Sequence, residues 1–252
     1  MVRTIGILFP STSKGRNWKK IEDTYLMSVF LPSFINTFCK EYDYVFYMVI
    51  DKNDRLYTSD NLTKVSNFIM SNHMNIKFIS SDGIKKGHVT EMWNRALDNA
   101  YNDGCDYFYQ CGDDIEFLTK NWVALSVNKL QNNDDIGLTG PLDLPRLLSG
   151  KHCQPGGPRF IQTQAFFSRK HKEIHGFLFP KKIINWYCDD WMTNTYYPEY
   201  FLLIDKCFIK NVGGKPRYTV IENKGECHMS VIASQLAQKH KEMVKKYLLS
   251  SN

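Results

Sequence analysis

Short apolar runs alternate with amphipathic segments along the first part of the chain. Runs rich in β-branched and aromatic residues, too short for helices, predict buried strands at 2–9, 44–50, 76–79, 107–111 and 136–139. Apolar residues at helical spacing predict helices at 21–39, 61–71, 90–100 and 121–130. Strands that alternate with helices predict an α/β fold with a mostly parallel sheet, covered by helices on both faces.

The pattern loosens after Pro141. A turn-rich loop at 155–158 precedes a predicted strand at 160–168, and 218–222 also has the character of a strand. A basic helix is predicted near the carboxyl terminus, around 239–246. The chain contains no internal repeat and no clear linker, so we interpret residues 1–252 as one domain.

Composition narrows the class of protein. Hydrophobic residues make up 43% and charged residues 23% of the 252 residues, as in ordinary globular proteins. A net charge of +6 suits phosphate-bearing ligands but is too small to predict a nucleic-acid groove. No segment has the length of a transmembrane helix, and the amino terminus lacks a signal-peptide pattern. The seven cysteines show no CxxC pair, which predicts free thiols and a cytoplasmic location.

Acids follow the predicted strand at 107–111. Asp113, Asp114 and Glu116 lie at its carboxyl end, the edge where open α/β sheets bind ligands. Clustered carboxylates repel one another unless a cation lies between them, and oxygen ligands suit Mg²⁺ or Mn²⁺ shared with a substrate phosphate. The alternative is a solvated acidic turn.

Polar groups also follow the first two predicted strands. In the loop 11–17, Lys14 and Arg16 are candidates to neutralise a phosphate, and the alternative is an ordinary surface loop. Asp51 ends the second strand, where an acid can accept hydrogen bonds from a base or ribose. Its alternative role is to cap a helix or form a turn.

Two later segments complete the candidate chemistry. In 86–97, a glycine precedes a helix that carries Asn94 and Arg95, which is also the pattern of a simple capped amphipathic helix. In 185–191, adjacent acids lie between tryptophans, whose faces suit sugar rings. A carboxylate there can take a proton from a sugar hydroxyl, or it can simply begin a helix.

Taken in chain order, these motifs resemble the nucleotide-diphospho-sugar glycosyltransferases of the GT-A fold, of the inverting, family-2-like type. The resemblance spans roughly residues 2–195 and rests on 5–13, 47–51, 86–97, Gly112-Asp113-Asp114, Gly176-Phe177 and Cys188-Asp189-Asp190. The chain departs from the family at two positions. Gly112 replaces the first acid of the Asp-x-Asp metal motif, and Asp189 replaces the glutamate of a Glu-Asp pair.

The resemblance implies a Rossmann-like GT-A sheet, with a nucleotide-sugar-binding half at 1–140 and an acceptor-side half at 141–252. It implies Mn²⁺ or Mg²⁺ held by Asp114 and a late histidine, His228. It makes Asp190 the catalytic base and Asp189 its neighbour, and it places Trp186 and Trp191 against the acceptor. The donor-binding residues that we expect are Pro10, Ser11, Thr12, Ser13, Arg16, Asp51, Lys86, Asn94, Arg95, Gly112 and Asp113.

The predicted function is metal-dependent transfer of a hexosyl or deoxyhexosyl group from a UDP- or GDP-sugar to a hydroxyl of a glycan or glycoprotein, with inversion. Neither a nucleic-acid partner nor a transmembrane segment is expected. One alternative is a catalytically silent carbohydrate-binding module, because Gly112 replaces an acid. Another is a sugar-phosphate nucleotidyltransferase, although the loop 11–16 has one glycine and such enzymes normally carry a glycine-rich first loop.

Overall fold

The computed structural model describes residues 2–149, 160–225 and 227–250. The described strands are β1 (Thr4–Ser11), β2 (Asp43–Ile50), β3 (Asn75–Ser80), β4 (Tyr107–Gln110), β5 (Ile115–Phe117), β6 (Leu142–Asp143), β7 (Ala165–Ser168), β8 (Phe208–Asn211), β9 (Asn223–Lys224) and β10 (Cys227–His228). The described α-helices are α1 (Leu31–Thr37), α2 (Ser59–Met70), α3 (Val89–Asn102), α4 (Trp122–Gln131), α5 (Leu144–Leu148), α6 (Arg169–His175), α7 (Cys188–Tyr196) and α8 (Met229–Ser250).

The central sheet has the strand order β3-β2-β1-β4-β7. Strands β1 to β4 run parallel, and β7 pairs with β4 in the antiparallel direction. The predicted α/β fold, with a mostly parallel sheet flanked by helices, is confirmed. Because β2 and β3 extend the sheet on one side of β1 and β4 lies on the other, a crevice opens at the carboxyl ends of β1 and β4.

Both faces of the sheet are buried. Strand β1 directs Ile7 and Phe9 toward the core under α1, α2 and α4, while Leu8 packs into the core formed with α3, α6, α7 and α8. At Gly6, an added Cβ would lie 3.2 Å from the Cβ of Ala100. Helix α3 therefore packs directly on the β1 backbone, and its amino-terminal end is held close to the crevice.

A second sheet has the strand order β5-β8-β6, and its strand β8 leads the chain back toward Asp113 and Asp114. Strand β8 runs antiparallel to β5 and pairs Asn211 with Ile115. The next backbone amide, of Val212, donates to the carbonyl of Asp114 at 2.9 Å. The segment that follows β8 therefore begins beside the acid cluster, although about a hundred residues separate the two in the chain.

Several predicted elements differ from those observed. The segment 136–139 makes only isolated bridges, from Leu138 to Phe201 and from Thr139 to Phe166, because β7 takes the place beside β4. Of the strand predicted at 160–168, only β7 forms. The segment 218–222 forms no strand.

The helical region predicted at 21–39 is also interrupted. It divides into a 3₁₀ turn at Ile21–Asp23, a π-helical turn at Leu26–Phe30 and α1. Among the described helices, none is both long and apolar enough to cross a membrane. The turn-rich loop at 155–158 lies outside the described residues.

The cysteines pack as apolar residues. Cys39, Cys105, Cys111, Cys188 and Cys207 are buried free thiols. Cys227 is also free and half-buried, and Cys153 lies outside the described residues.

Buried histidines join three helices in the second core. His171 and His175 of α6 have ring centroids 4.9 Å apart, and His175 lies 5.5 Å from His240 of α8. Trp191 of α7 donates its indole N–H to Nδ1 of His240 at 3.0 Å. Burial lowers the pKa of His171 to about 4 and that of His175 to about 2, so these imidazoles are neutral in the folded protein.

His175→Phe should protect the protein against acid. Unfolding returns the His175 pKa to about 6.5, so the unfolded state binds more protons and stability falls as the pH drops below that value. Phenylalanine removes this proton uptake, and it also removes Nδ1, which is buried without a partner. Urea unfolding at pH 7.5 and pH 5 should show the variant gaining about 2 kcal/mol relative to wild type at the lower pH. Parallel pH profiles would contradict this, and exposed His228→Phe is the control.

Candidate functional site

A pocket of about 550 Å³ lies at the carboxyl ends of β1, β2 and β4. The starts of α3 and α7 line it, together with residues 214–218. We call residues 212–222, which run from the end of β8 past the pocket, the strap. The predicted site residues that line the pocket are Pro10, Ser11, Thr12, Asp51, Lys86, Gly112, Asp114, Trp186 and Asp189. Those that do not line it are Ser13, Arg16, Asn94, Arg95, Asp113, Asp190, Trp191 and His228.

The loop after β1 is held by an acid that the sequence analysis missed. Asp54 accepts hydrogen bonds from the backbone N–H and the hydroxyl of Ser13, both at 2.7 Å, and from the hydroxyl of Thr12 at 3.0 Å. Ser13 therefore shapes the loop and does not face the pocket. Lys14 lies 3.2 Å from Asp51, so the predicted base- or ribose-binding acid carries a cation beside it.

Arg16 holds the strap. Its Nη2 donates to the carbonyl of Gly213 at 2.6 Å and to that of Lys215 at 3.1 Å. The predicted phosphate-binding role of Arg16 is not what this geometry shows. The guanidinium instead fixes the backbone of the segment that closes the pocket.

Asp113 is fully buried, which contradicts its predicted contact with the donor or metal. Its carboxylate accepts hydrogen bonds from Ser11 Oγ and from both terminal nitrogens of Arg217. Arg217 also donates to the carbonyl of Thr12 at 2.9 Å and lines the pocket. The sequence analysis missed Arg217, because nothing in the local pattern of the strap connects it with an acid so distant in the chain.

Asp114 remains on the pocket wall. A Cβ at Gly112 or at Gly213 would overlap its carboxylate, so the two glycines form a cradle around it. Burial, and then the neighbouring Asp113, raise the pKa of Asp114 to about 6, although Arg217 lies 3.8 Å away. A bound cation would favour the ionised form of this carboxylate.

The residues present fit a metal held mainly by the substrate. The described residues contain no group of three or more His, Cys, Asp or Glu side chains placed to hold a metal. His228 is exposed, bonds to the Ser230 hydroxyl at 2.8 Å and does not line the pocket, so it is not brought to Asp114. Mg²⁺ needs only one or two carboxylates when waters and phosphates complete its shell, and Asp114 meets that requirement.

The polar groups predicted on α3 serve the fold. The side-chain amide of Asn94 donates to the carbonyl of Phe179 and accepts from the backbone N–H groups of Leu178 and Phe179, all at 2.8 Å. Arg95 donates to backbone carbonyls in the turn after β3. Neither side chain lines the pocket, so their predicted contacts with the donor are wrong.

The acids at the start of α7 are neighbours, and the charge of Asp189 disfavours ionisation of Asp190. Asp189 lines the pocket and lies 3.7 Å from Nη1 of Arg146, whereas Asp190 is not on the wall. Burial, and then Asp189, raise the pKa of Asp190 to about 7. Trp186 is 41% exposed and lines the pocket, but Trp191 is fully buried among the histidines. The predicted acceptor contact of Trp191 is wrong.

Asn185, also missed by the sequence analysis, connects three parts of the site. Its Nδ2 donates to the carbonyls of Gly87 and Thr219, both at 3.1 Å. Its Oδ1 accepts from the backbone N–H groups of Trp186 at 2.7 Å and Ile221 at 3.2 Å. The start of α3, the strap and the approach to α7 are thereby bonded to one side chain, which is 1% exposed.

Comparison with known proteins identifies the fold. No family model and no curated protein matches the sequence. Among solved structures, S. aureus TarS has 14% identity and a TM-score of 0.56, over 82% of this chain and 36% of its own. Glucosyl-3-phosphoglycerate synthase from Mycobacterium tuberculosis, in complex with Mg²⁺ and UDP, has 12% identity and a TM-score of 0.50, over 80% of this chain and 68% of its own. This chain thus spans little more than a third of TarS, and its fold is that of the GT-A glycosyltransferases.

Proposed function

We propose that the protein is a metal-dependent glycosyltransferase that moves a hexosyl or deoxyhexosyl group from a UDP- or GDP-sugar to a hydroxyl of a glycan or glycoprotein, with inversion. The observation that carries the proposal is that one pocket, at the carboxyl ends of the parallel strands, has Asp114 on its wall and Asp189 of α7 at another part of that wall. The synthase with a similar fold was solved with Mg²⁺ and UDP, which supports this class of ligand.

The charge of the wall favours a diphosphate. The cations that line the pocket are Lys14, Lys86, Arg146, Lys215 and Arg217, and they outnumber the lining acids Asp51, Asp114 and Asp189. Lys14 comes from the loop after β1, Lys215 and Arg217 come from the strap, Lys86 precedes α3 and Arg146 lies in α5. Fixed positive groups in a concave site attract an anionic donor and stabilise it once bound.

Asp114 would hold Mg²⁺ or Mn²⁺ together with the donor phosphates, and such a metal neutralises charge on the leaving diphosphate. We assign Asp190 as the base, with Asp189 as the member of the pair that touches the pocket. The base takes the proton of the acceptor hydroxyl while that oxygen attacks the anomeric carbon. The bond to the diphosphate breaks on the opposite face, so no covalent enzyme intermediate forms. Trp186 offers an exposed ring to the acceptor.

Two measurements test the proposal. Thermal unfolding should shift upward with one class of nucleotide among UDP-, GDP-, CMP- and dTDP-sugars, and the shift should require Mn²⁺ or Mg²⁺. Incubation of that donor should then release the nucleoside diphosphate. Release of pyrophosphate from a sugar phosphate and a nucleoside triphosphate would instead support a nucleotidyltransferase. Binding without any turnover would support a silent carbohydrate-binding module.

A further inference from the structure

We propose that Gln110 and Gln164 form the subsite that reads the hydroxyls of the donor sugar, and that this sugar is a neutral hexose. The inference rests on the proposed function, which it makes more specific. It starts from buried carboxamides on the pocket wall, a feature that neither the motifs nor the comparisons assign to any role.

Gln110 is a buried polar side chain whose carboxamide has no hydrogen-bond partner among the described residues. It is the last residue of β4, is 3% exposed and lines the pocket. Its backbone pairs with β1 and β7, but its carboxamide bonds to no side chain or backbone group among residues 2–149, 160–225 and 227–250. Since the residue lines the pocket, its carboxamide can hydrogen-bond to a ligand bound there.

The carboxamide of Gln164 is fixed through its oxygen, while its nitrogen remains available to a ligand. Its Oε1 accepts from the backbone N–H of Gly112 at 3.0 Å, which fixes the orientation of the carboxamide. Its Nε2 donates to no described group, and the residue is 7% exposed and also lines the pocket. The two glutamines therefore present amide groups, already ordered, to the same space.

This space is where the sugar must lie. Gln164 bonds to Gly112, and Gly112 is in the cradle of the Asp114 carboxylate that we assign to the metal and diphosphate. The anomeric carbon is one oxygen from the diphosphate, and the attacking hydroxyl must approach it from the side of Asp189. The glutamines line the pocket that contains both ends of this path.

The side chains of α3 that line the pocket offer no free N–H or O–H group to a sugar hydroxyl. The Trp93 indole N–H, which lines the pocket, donates to the carbonyl of Cys111 at 2.9 Å. Met92 and Val89 add only sulfur and carbon to the lining. A pyranose would place its C–H face on this apolar wall, leaving its hydroxyls to the neutral amides.

The test compares binding of each sugar nucleotide with binding of its own nucleoside diphosphate, in Mg²⁺, by calorimetry. The probes are UDP-glucose with UDP, and GDP-mannose with GDP, and UDP-glucuronate is the charged comparison. Gln110→Met keeps the length of the side chain but removes its hydrogen bonds. We expect it to weaken the preferred sugar nucleotide about 10-fold while the Kd of the nucleoside diphosphate stays unchanged. Exposed Gln238→Met is the matched control and should change neither value.

Each outcome decides the matter. Retained nucleoside diphosphate binding shows that the variant is folded, so an unchanged Kd for the sugar nucleotide would overturn the subsite and leave the proposed function standing. Tighter binding of UDP-glucuronate than of both neutral donors by the wild-type protein would overturn the assignment of a neutral sugar. Failure of the wild-type protein to bind UDP, GDP or their sugars would overturn the proposed function, and the subsite with it.

Discussion

Asp190→Asn is expected to lower sugar transfer about 10²–10⁴-fold while donor and metal binding remain close to those of wild type. The amide keeps the size of the side chain but cannot take the proton of the acceptor hydroxyl. Initial rates of transfer, measured beside calorimetric titration with the donor, separate these effects. Asp189→Asn is the matched variant, and we expect it to be milder.

The pH profile gives a second readout for the same residue. Burial and Asp189 hold the pKa of Asp190 near 7, and a base must be ionised to act. Wild-type transfer should therefore fall as the pH drops below about 7. If Asp189→Asn abolishes transfer while Asp190→Asn is nearly normal, the base is Asp189, the acid on the wall. Full activity in both variants would show that neither Asp189 nor Asp190 takes part in the reaction.

Asp114→Asn is expected to weaken Mn²⁺-supported binding of the nucleoside diphosphate at least about 100-fold. The loss follows because an amide is neutral, whereas Asp114 is the carboxylate cradled by Gly112 and Gly213 on the wall. Calorimetry with and without Mn²⁺ measures the effect. Asp51→Asn changes another carboxylate of the same wall, so it should leave the ratio of the two affinities unaltered. Equal Mn²⁺ dependence in Asp114→Asn and wild type would exclude Asp114 as the ligand.

The same substitution should stabilise the metal-free protein at pH 8. The pKa of Asp114 is raised to about 6 when folded, so its favourable contribution is present below its ordinary value and is lost as the pH rises through about 6. A shift of about two pKa units corresponds to a gain on the order of 3 kcal/mol for a side chain that does not ionise. Urea unfolding at pH 8 and pH 4 checks this, and the gain should vanish at the lower pH.

The parallel sheet was predictable because its strands are continuous apolar runs, and burial on both faces leaves that signature in the sequence. Trp191 was predictable too, although the prediction made here was wrong. Cys188, Trp191, Met192 and Thr195 are all buried and follow helical spacing, so their stripe faces the core. The aromatic character of the segment suggested a sugar platform, but periodicity was the better guide.

Other features of the site cannot be recognised from the local amino-acid sequence. Asp113 and Asp114 are adjacent and chemically identical, yet one is sealed against Arg217 and the other reaches the pocket. Two features of the tertiary structure place the two acids differently. The strap, which follows β8, brings Arg217 to Asp113, and the glycines leave room for the carboxylate of Asp114. Asn185 is similar, because its bonds join segments brought together only by the complete fold. Such pairings depend on tertiary structure and not on the composition of either segment.

The ion pair between Asp113 and Arg217 also constrains the order in which the chain folds during its synthesis. The acid leaves the ribosome about a hundred residues before its basic partner. A nascent chain that closed β1 and β4 around Asp113 early would bury a charge without compensation, which is strongly unfavourable. The amino-terminal strands must therefore keep this corner open to water during synthesis, and the pocket is completed only after translation has passed the strap. A stop codon before residue 217 would then release a chain in which Asp113 has no counter-charge from Arg217.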